Sequence, residues 1–276
     1  MRFLSSSGVV IVREIECKSL LNKSAIADYC INPYVGCQHG CRYCYAAGIT
    51  FRFRRKKEEW GEFLDVKINA ISVLSKEVKN KKIGRVYLSS LTDPYQPMEK
   101  KYELTRKIVD MLVQNGFPIT IQTKSNLVTR DLDILSTNRS NEVGVTIITM
   151  DEKISRDFEP FSSKPEERLE AISIAKSNGL RTYVFFGPVL PFLSDSNVED
   201  LLLKFKKAGA DYVYVDRLNL RPMVWSMVSK IVLQKYSNLY EEWKRIFFSK
   251  PLYYDELKRN VLKIAREIGL ETVFCY

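Results

Sequence analysis

The stretch NPYVGCQHGCRYCYA, Asn32 to Ala46, places Cys37, Cys41 and Cys44 in a C-x3-C-x2-C pattern around His39, the only histidine in the chain. Three cysteines within eight residues, interleaved with Gly36 and Gly40, describe a loop folded back on itself rather than one face of a helix or strand. Three readings follow. Buried thiols that merely lie close are one. Structural zinc is another, since Cys37, His39, Cys41 and Cys44 supply four ligand atoms. That set is cramped, because such sites usually take ligand pairs from separate turns and no second pair exists elsewhere. The third is a [4Fe–4S] cluster on three thiolates, which leaves one iron open to a small molecule. Tyr43 would then project its ring beside that iron.

The rest of the chain bounds the choice. At 276 residues, 45% hydrophobic and 12% aromatic, it supports one large α/β domain, or a domain with an appendage. Apolar runs are too short to span a bilayer, and the N-terminal segment lacks a signal-peptide pattern. Cys17, Cys30 and Cys275 are scattered and suggest no disulfide framework. The expectation is a cytoplasmic, reducing setting without membrane contact. The formal charge of +10 is uneven: residues 1–60 hold ten Lys/Arg against five Asp/Glu, and residues 218–276 hold ten against six. The run FRFRRKK (Phe51–Lys57) follows the cysteines directly. Such basic excess favours anionic partners, although a solvated Lys/Glu surface gives the same total.

After a leader of about 25 residues, strand-like and helix-like segments alternate. Strands are predicted at Tyr29–Pro33, Arg85–Ser89, Pro118–Gln122, Val143–Thr149, Thr182–Phe186 and Asp211–Val215. Helices are predicted at Leu64–Lys79, from Leu104 to the stop at Gly116, at Val128–Leu135, from Pro165 to Gly179, and at Val198–Lys207. This order implies parallel βαβ units. Periodicity alone does not separate a partial barrel from a doubly wound sheet; the cysteine loop after the first strand points to a partial (β/α)6 barrel. The expected division is a leader (1–25), a core barrel (26–218) and a C-terminal, mostly helical cap (219–276). In a barrel, chemistry sits on loops at the C-terminal strand ends. The cysteine loop, SSLTDPYQP, TKS, TMD and FGPVLP all fall there.

The cysteine motif resembles the signature of the radical S-adenosylmethionine (SAM) superfamily. INPYVGCQHGCRYCYA, EEWGEFLDVKINA, SSLTDPYQPMEKKYELTRKIVDMLV, TKSNLVTRDLDIL, VTIITMDE, FEPFSSKPEERLEAI and GPVLPFLSDS are similar, in that order, to its spore-photoproduct-lyase-like branch. The resemblance implies a partial TIM-type barrel, a [4Fe–4S] cluster, SAM as cofactor and a ferredoxin- or flavodoxin-type electron donor. In this superfamily a reduced cluster cleaves SAM to a 5′-deoxyadenosyl radical, which abstracts hydrogen from the substrate.

Carried onto this chain, the resemblance makes Cys37, Cys41 and Cys44 the cluster ligands and sets Tyr43 near the SAM adenine. It gives Ser89, Ser90, Thr92 and Asp93 to the methionine amino group, Lys124 and Ser125 to the carboxylate, Thr146 to a hydroxyl contact, and Gly187 and Pro188 to the adenine. Arg52, Arg54 and Arg55, together with Tyr95, are candidates for substrate binding, with an anionic substrate preferred, nucleic acid first and a phosphorylated metabolite or peptide second. The chain departs from the family's best-known member at one place. That lyase carries its hydrogen-donor cysteine after the second strand, where this chain reads Ser89-Ser90-Leu91 and a serine O–H is too strong a bond to serve. A different substrate is therefore expected. The alternatives are a lyase-like DNA repair enzyme, if Cys17, Cys30 or Cys275 folds into the site, and a non-enzymatic zinc-binding nucleic-acid module.

Overall fold

The computed structural model describes residues 2–5, 8–54, 58–221, 223–249 and 252–276. Its main sheet holds seven parallel strands: β1 (Tyr29–Ile31), β2 (Val86–Leu88), β3 (Ile119–Thr123), β4 (Glu142–Thr146), β5 (Arg181–Val189), β6 (Tyr212–Arg217) and β7 (Glu271–Phe274). They lie side by side in chain order, and the two-residue strand Asn22–Lys23 pairs antiparallel on the outer edge of β1.

Each strand alternates faces, so the side-chain types at odd and even positions reveal what lies on either side. Val86, Leu88, Ile119, Ile121, Val143, Val145, Val184, Phe186, Val213 and Val215 are fully buried against helices. Their neighbours Tyr87, Thr120, Gln122, Thr146, Phe185, Tyr214 and Asp216 line one shared cavity. A sheet whose adjacent strands all face one cavity is curved, which is the partial barrel expected above. Gly144 leaves room for the Tyr183 ring, because a Cβ there would lie 2.2 Å from it; Tyr183 then donates its hydroxyl to the Ile121 carbonyl (3.0 Å).

Helices cover the outer face. α1 (Tyr45–Phe53) follows the cysteine loop; α2 (Ala70–Asn80) and α3 (Leu104–Gln114) bury Leu74, Val78, Ile108 and Leu112 against the first half of the sheet. α4 (Pro165–Ser177) and α5 (Val198–Lys207) follow, with Asn197 capping α5 by accepting from the Asp200 N–H. The C-terminal part adds α6 (Val224–Lys235), α7 (Tyr240–Phe248) and α8 (Tyr253–Ile268), the last closed by Gly269 at φ +63°. α8 buries Leu257, Val261 and Ile264 beside Phe205 and Val213. α6 and α7 cover the cysteine loop: Val228, Val232 and the fully buried Trp243 share a core with Cys41, Tyr43 and Phe158. Among the described residues no helix is long and apolar enough to cross a membrane.

One difference from the periodicity stands out. Leu64–Lys67 is strand rather than helix: Phe63–Lys67 pairs with Gly8–Ile15 on one side and Tyr34–Val35 on the other, and Arg2–Ser5 pairs on the far edge of Gly8–Ile15, in a separate four-stranded sheet. The alternation Leu64, Val66 fits either period over so few residues, and both side chains are fully buried there. The leader thus supplies strands to that sheet. At the other end β7 extends the barrel sheet, so the C-terminal part contributes a wall as well as a cap.

Candidate active site

The cysteine loop leaves β1 and turns at Gly36, whose φ of +91° suits glycine and whose Cβ would strike the Phe63 carbonyl at 2.6 Å. Thr92 donates its hydroxyl to the Gly36 carbonyl (2.5 Å), and Gln38 accepts from the Met98 N–H (2.7 Å) while its own N–H reaches Gln96 Oε1 (3.0 Å). The Arg42 N–H donates to the Phe158 carbonyl (2.8 Å), and His39 Nδ1 lies 3.0 Å from the Phe161 carbonyl. Long-range bonds therefore hold a segment with no regular structure of its own, and His39 serves the loop.

The three cysteines are brought together. Cys37, Cys41 and Cys44 line a small cavity of about 130 Å³ with Ser89, Ser90, Thr92, Asp93, Lys124 and Thr146. It adjoins a wider cavity of about 560 Å³, which Cys41, Tyr43, Cys44, Lys124 and Thr146 share with Gly187 and Pro188. Twelve of the residues expected around a cofactor therefore surround two adjoining spaces at the C-terminal ends of the strands.

Burial raises all three thiols above the usual range, and the thiols reinforce one another in pairs. Opposing this, backbone N–H groups of His39 and Asp93 point at Cys37, and those of Ala46 and Ala47, at the start of α1, point at Cys44. Lys124 adds its charge beside Cys41 and Cys44, with Nζ 5.8 Å from the Tyr43 ring centroid. Burial alone would lower Lys124, but Cys41, Glu159, Asp93 and Cys44 raise it, so it stands as a fixed cation. Burial likewise opposes the charge on Asp93. Even so, His39, the Thr123 hydroxyl (2.6 Å) and Lys124 hold its carboxyl at about 2, and the Lys124 N–H donates to it at 2.8 Å.

Behind Tyr43 lies a buried ion pair that the sequence reading missed. Tyr43 donates its hydroxyl to Glu159, and Glu159 pairs with Arg168 at 2.6 Å, both side chains fully buried. Arg168 also donates to the carbonyls of Thr146 and Ser163 (2.8 Å each), so one guanidinium braces the cysteine loop, β4 and the start of α4. Nothing in EERLEA distinguishes this arginine from a surface helix charge. Gln122 was also missed; it accepts from the Tyr87 hydroxyl (3.0 Å) and donates to Thr146 Oγ1 (3.3 Å) along the cavity wall.

Four expectations change. Ser125 lines neither cavity; its hydroxyl accepts from the Leu127 N–H and caps the 3₁₀ turn Asn126–Asp131. Tyr95 is fully buried in the core that holds Ile108 and Leu112, away from both spaces. Arg54 lies 3.6 Å over the Phe63 ring and bonds Glu58 (3.1 Å) and Asp65 (3.2 Å), leaving its guanidinium committed. Arg52 is exposed on α1 and lines neither space. Arg55 lies outside the described residues. Besides Lys124, the cations that do line the wide cavity are Arg85, Arg217 and Arg221, joined by Tyr45, Tyr214, Asp216 and Cys275. Arg221 sits 5.4 Å from the Tyr45 ring centroid. Of the three spare cysteines, Cys17 accompanies the α2 core, and Cys30 is buried with Sγ 3.2 Å from Ser90 Oγ; Cys275 alone among them lines the cavity.

Burial raises the Asp216 carboxyl to about 6, against the pull of Arg217 and Arg221. Because the folded-state value lies above the ordinary 3.8, the ionised form costs stability above pH 6, and the cost vanishes below pH 4. Asp216→Asn is expected to stabilise the protein at pH 8 by about 1–2 kcal/mol, allowing for solvent screening, and to make no difference at pH 3.5. Urea midpoints of the two proteins at both pH values test this; equal midpoints at pH 8 contradict it.

Residues 31–205 match the family described as the Radical SAM superfamily, and the chain belongs to it. An uncharacterized protein of Methanocaldococcus jannaschii is 36% identical over 219 residues, covering 78% of this chain and 80% of that one. An uncharacterized protein of Mycobacterium tuberculosis is 32% identical over 285 residues, covering 93% and 81%. Among solved structures, spore photoproduct lyase complexed with dinucleoside spore photoproduct shares the fold at a TM-score of 0.70 and 14% identity, over 96% of this chain and 82% of that chain. The family implies SAM, an iron–sulfur cluster and an electron donor.

The residues present fit such a cluster. Two polar atoms around the small cavity, Ser89 Oγ and Trp60 Nε1, are buried without a partner among the described residues, as the wall of a space meant for a polar or charged group would leave them. Among the described residues no three His, Cys, Asp or Glu side chains converge on a point as a single ion requires. A cluster takes one thiolate per iron, so its ligands enclose a volume instead.

Proposed function

We propose that Cys37, Cys41 and Cys44 hold a [4Fe–4S] cluster, and that this enzyme acts on an unstacked base of a nucleic acid held in the wide cavity. The cavity's composition supports the substrate: Tyr45, Tyr87, Phe185 and Tyr214 offer aromatic faces, while Arg85, Arg217 and Arg221 supply cations for phosphates. The complex of spore photoproduct lyase with a dinucleoside shows that this fold accommodates such a ligand in a relative. When bound and reduced, the cluster supplies the electron that cleaves the C5′–S bond of SAM and so generates a 5′-deoxyadenosyl radical.

The chain's own residues position and enclose. Lys124 is the cation for the SAM carboxylate, fixed in charge by its acidic neighbours. Ser89 Oγ, buried and unpartnered, is free to accept from the methionine amino group. The Asp93 carboxylate, by contrast, already accepts from Thr123, Lys124 and Tyr95, so it shapes the loop and adds negative charge near that amino group. Gly187 lets backbone approach the adenine, where a Cβ would meet the Phe185 ring at 2.6 Å. Unpaired thiols and a cluster of this kind suit a reducing cytoplasm.

One observation favours a lyase-type variant of this reading. Ser89 cannot return a hydrogen atom, but Cys275 lines the same cavity, and burial together with Asp216 pushes its thiol up to about 11. A thiol kept protonated retains the S–H bond that such a return needs.

Anaerobic reconstitution with iron and sulfide is expected to give a brown protein that releases 5′-deoxyadenosine from SAM with dithionite. A colourless protein binding stoichiometric zinc, with no 5′-deoxyadenosine, would identify a zinc module instead. For the substrate, Arg217→Ala with Arg221→Ala is expected to weaken binding of a single-stranded oligonucleotide and to flatten its log–log salt dependence by about 1–2 units. An unchanged slope removes nucleic acid from the proposal.

A further inference from the structure

The cysteine loop has a second flank. A groove of about 710 Å³ runs between the end of α1, residues 58–60 and α6, and none of its lining residues lines the wide cavity. Its apolar surface comprises Phe51, Trp60, Met223, Met227 and Ile231. Trp60 lines both this groove and the small cysteine cavity, and it packs with Cys37, Cys44, Phe51 and Met227 in one core. A single layer of side chains thus separates the groove from two of the three cysteines.

We propose that this groove is the docking site of the electron carrier, a small acidic one-electron protein. The proposal rests on the cluster reading above. A carrier seated here approaches the cluster from the flank that substrate and SAM leave free, so all three can be bound at once. The charge around the groove matches such a partner. Arg42 and Lys230 have no ion pair among the described residues, while Arg54 is held by Glu58 and Asp65. Glu58 is neutralised by Arg13 as well as Arg54, and among the described residues Glu59 is the one acid left without an ion pair on the lining. With Arg42, Arg54 and Lys230 against Glu58 and Glu59, the lining keeps an excess of positive charge. Methionine, aromatic residues and arginine are the types enriched at protein interfaces, and electron-transfer encounters need only small ones.

Ser226, Lys230 and Gln234 stand four residues apart on the exposed face of α6 at the groove's edge, outside the cofactor site. The variant Ser226→Glu, Lys230→Glu, Gln234→Glu reverses the local charge without touching the core. Chemically reduced flavodoxin serves as the probe, with 5′-deoxyadenosine release as the readout. The expected result is a KM for flavodoxin raised at least about tenfold, with the dithionite-driven rate unchanged; the wild-type KM should also rise with ionic strength. An unchanged flavodoxin KM overturns the proposal, as does loss of oligonucleotide binding in the variant with the flavodoxin KM intact. Absence of dithionite-driven cleavage in the wild type overturns the cluster reading, and the docking site with it.

Discussion

Cys41→Ala is expected to remain folded, lose its iron and brown colour, and release 5′-deoxyadenosine at least about a thousandfold more slowly than the reconstituted parent. Cys41 is buried in the core that α6 and α7 close over the loop, so removing its sulfur leaves only a small void there. Its chemical loss is larger, since two thiolates from one loop do not retain a cluster that three enclose. Cys17→Ala is the matching control, because Cys17 accompanies the α2 core and lines neither cavity. Iron content and visible absorbance read the outcome independently of turnover. Full iron in Cys41→Ala, or its loss in Cys17→Ala, would show the cluster is held elsewhere.

Arg168→Met is expected to cost about 3–5 kcal/mol of stability. The guanidinium is fully buried and serves five acceptors: Glu159 at 2.6 Å, the carbonyls of Thr146 and Ser163 at 2.8 Å, Ser162 Oγ at 2.5 Å and Ser155 Oγ at 3.4 Å. Methionine fills most of the volume but strands the Glu159 carboxylate in the interior, where an unpaired charge is costly. Adding Glu159→Gln removes that charge and should recover about half of the loss. Urea unfolding of the single and double variants measures this as a shift in midpoint at constant slope. A loss below about 1 kcal/mol in Arg168→Met would mean that water reaches the pair. Because the pair also braces Tyr43 and the Thr146 carbonyl, the same variant should weaken SAM binding before it unfolds.

The cysteine loop was legible because its information is local. Three thiols and two glycines in eight residues have few alternative uses, and the order of the surrounding motifs carries the superfamily. The strand–helix alternation was legible for a similar reason, since a β-branched run such as VGVTIIT is driven into the interior, all seven residues buried, whatever its partner. Where two periods fit equally, as at Leu64–Lys67, local pattern was insufficient, and pairing with Gly8–Ile15 decided the conformation.

Charge was the least legible property. FRFRRKK reads as a basic patch ready for substrate, yet Arg54 is committed to Glu58 and Asp65, contributed by residues on either side of a strand turn. Arg217 and Arg221, isolated in the sequence, line the cavity. Arg168 looked like one more helix charge and lies fully buried in an ion pair with Glu159, nine residues earlier. The sequence by itself determined the three-cysteine spacing, Cys37, Cys41 and Cys44, and the strand–helix order that presents it, because thiol spacing and face alternation are properties of short segments. Only the tertiary structure decided which cations line the wide cavity, which thiol beyond the three reaches it, and which flank of the loop carries a groove. Those depend on which distant side chains the curved sheet and the C-terminal helices bring within a few ångströms of one another.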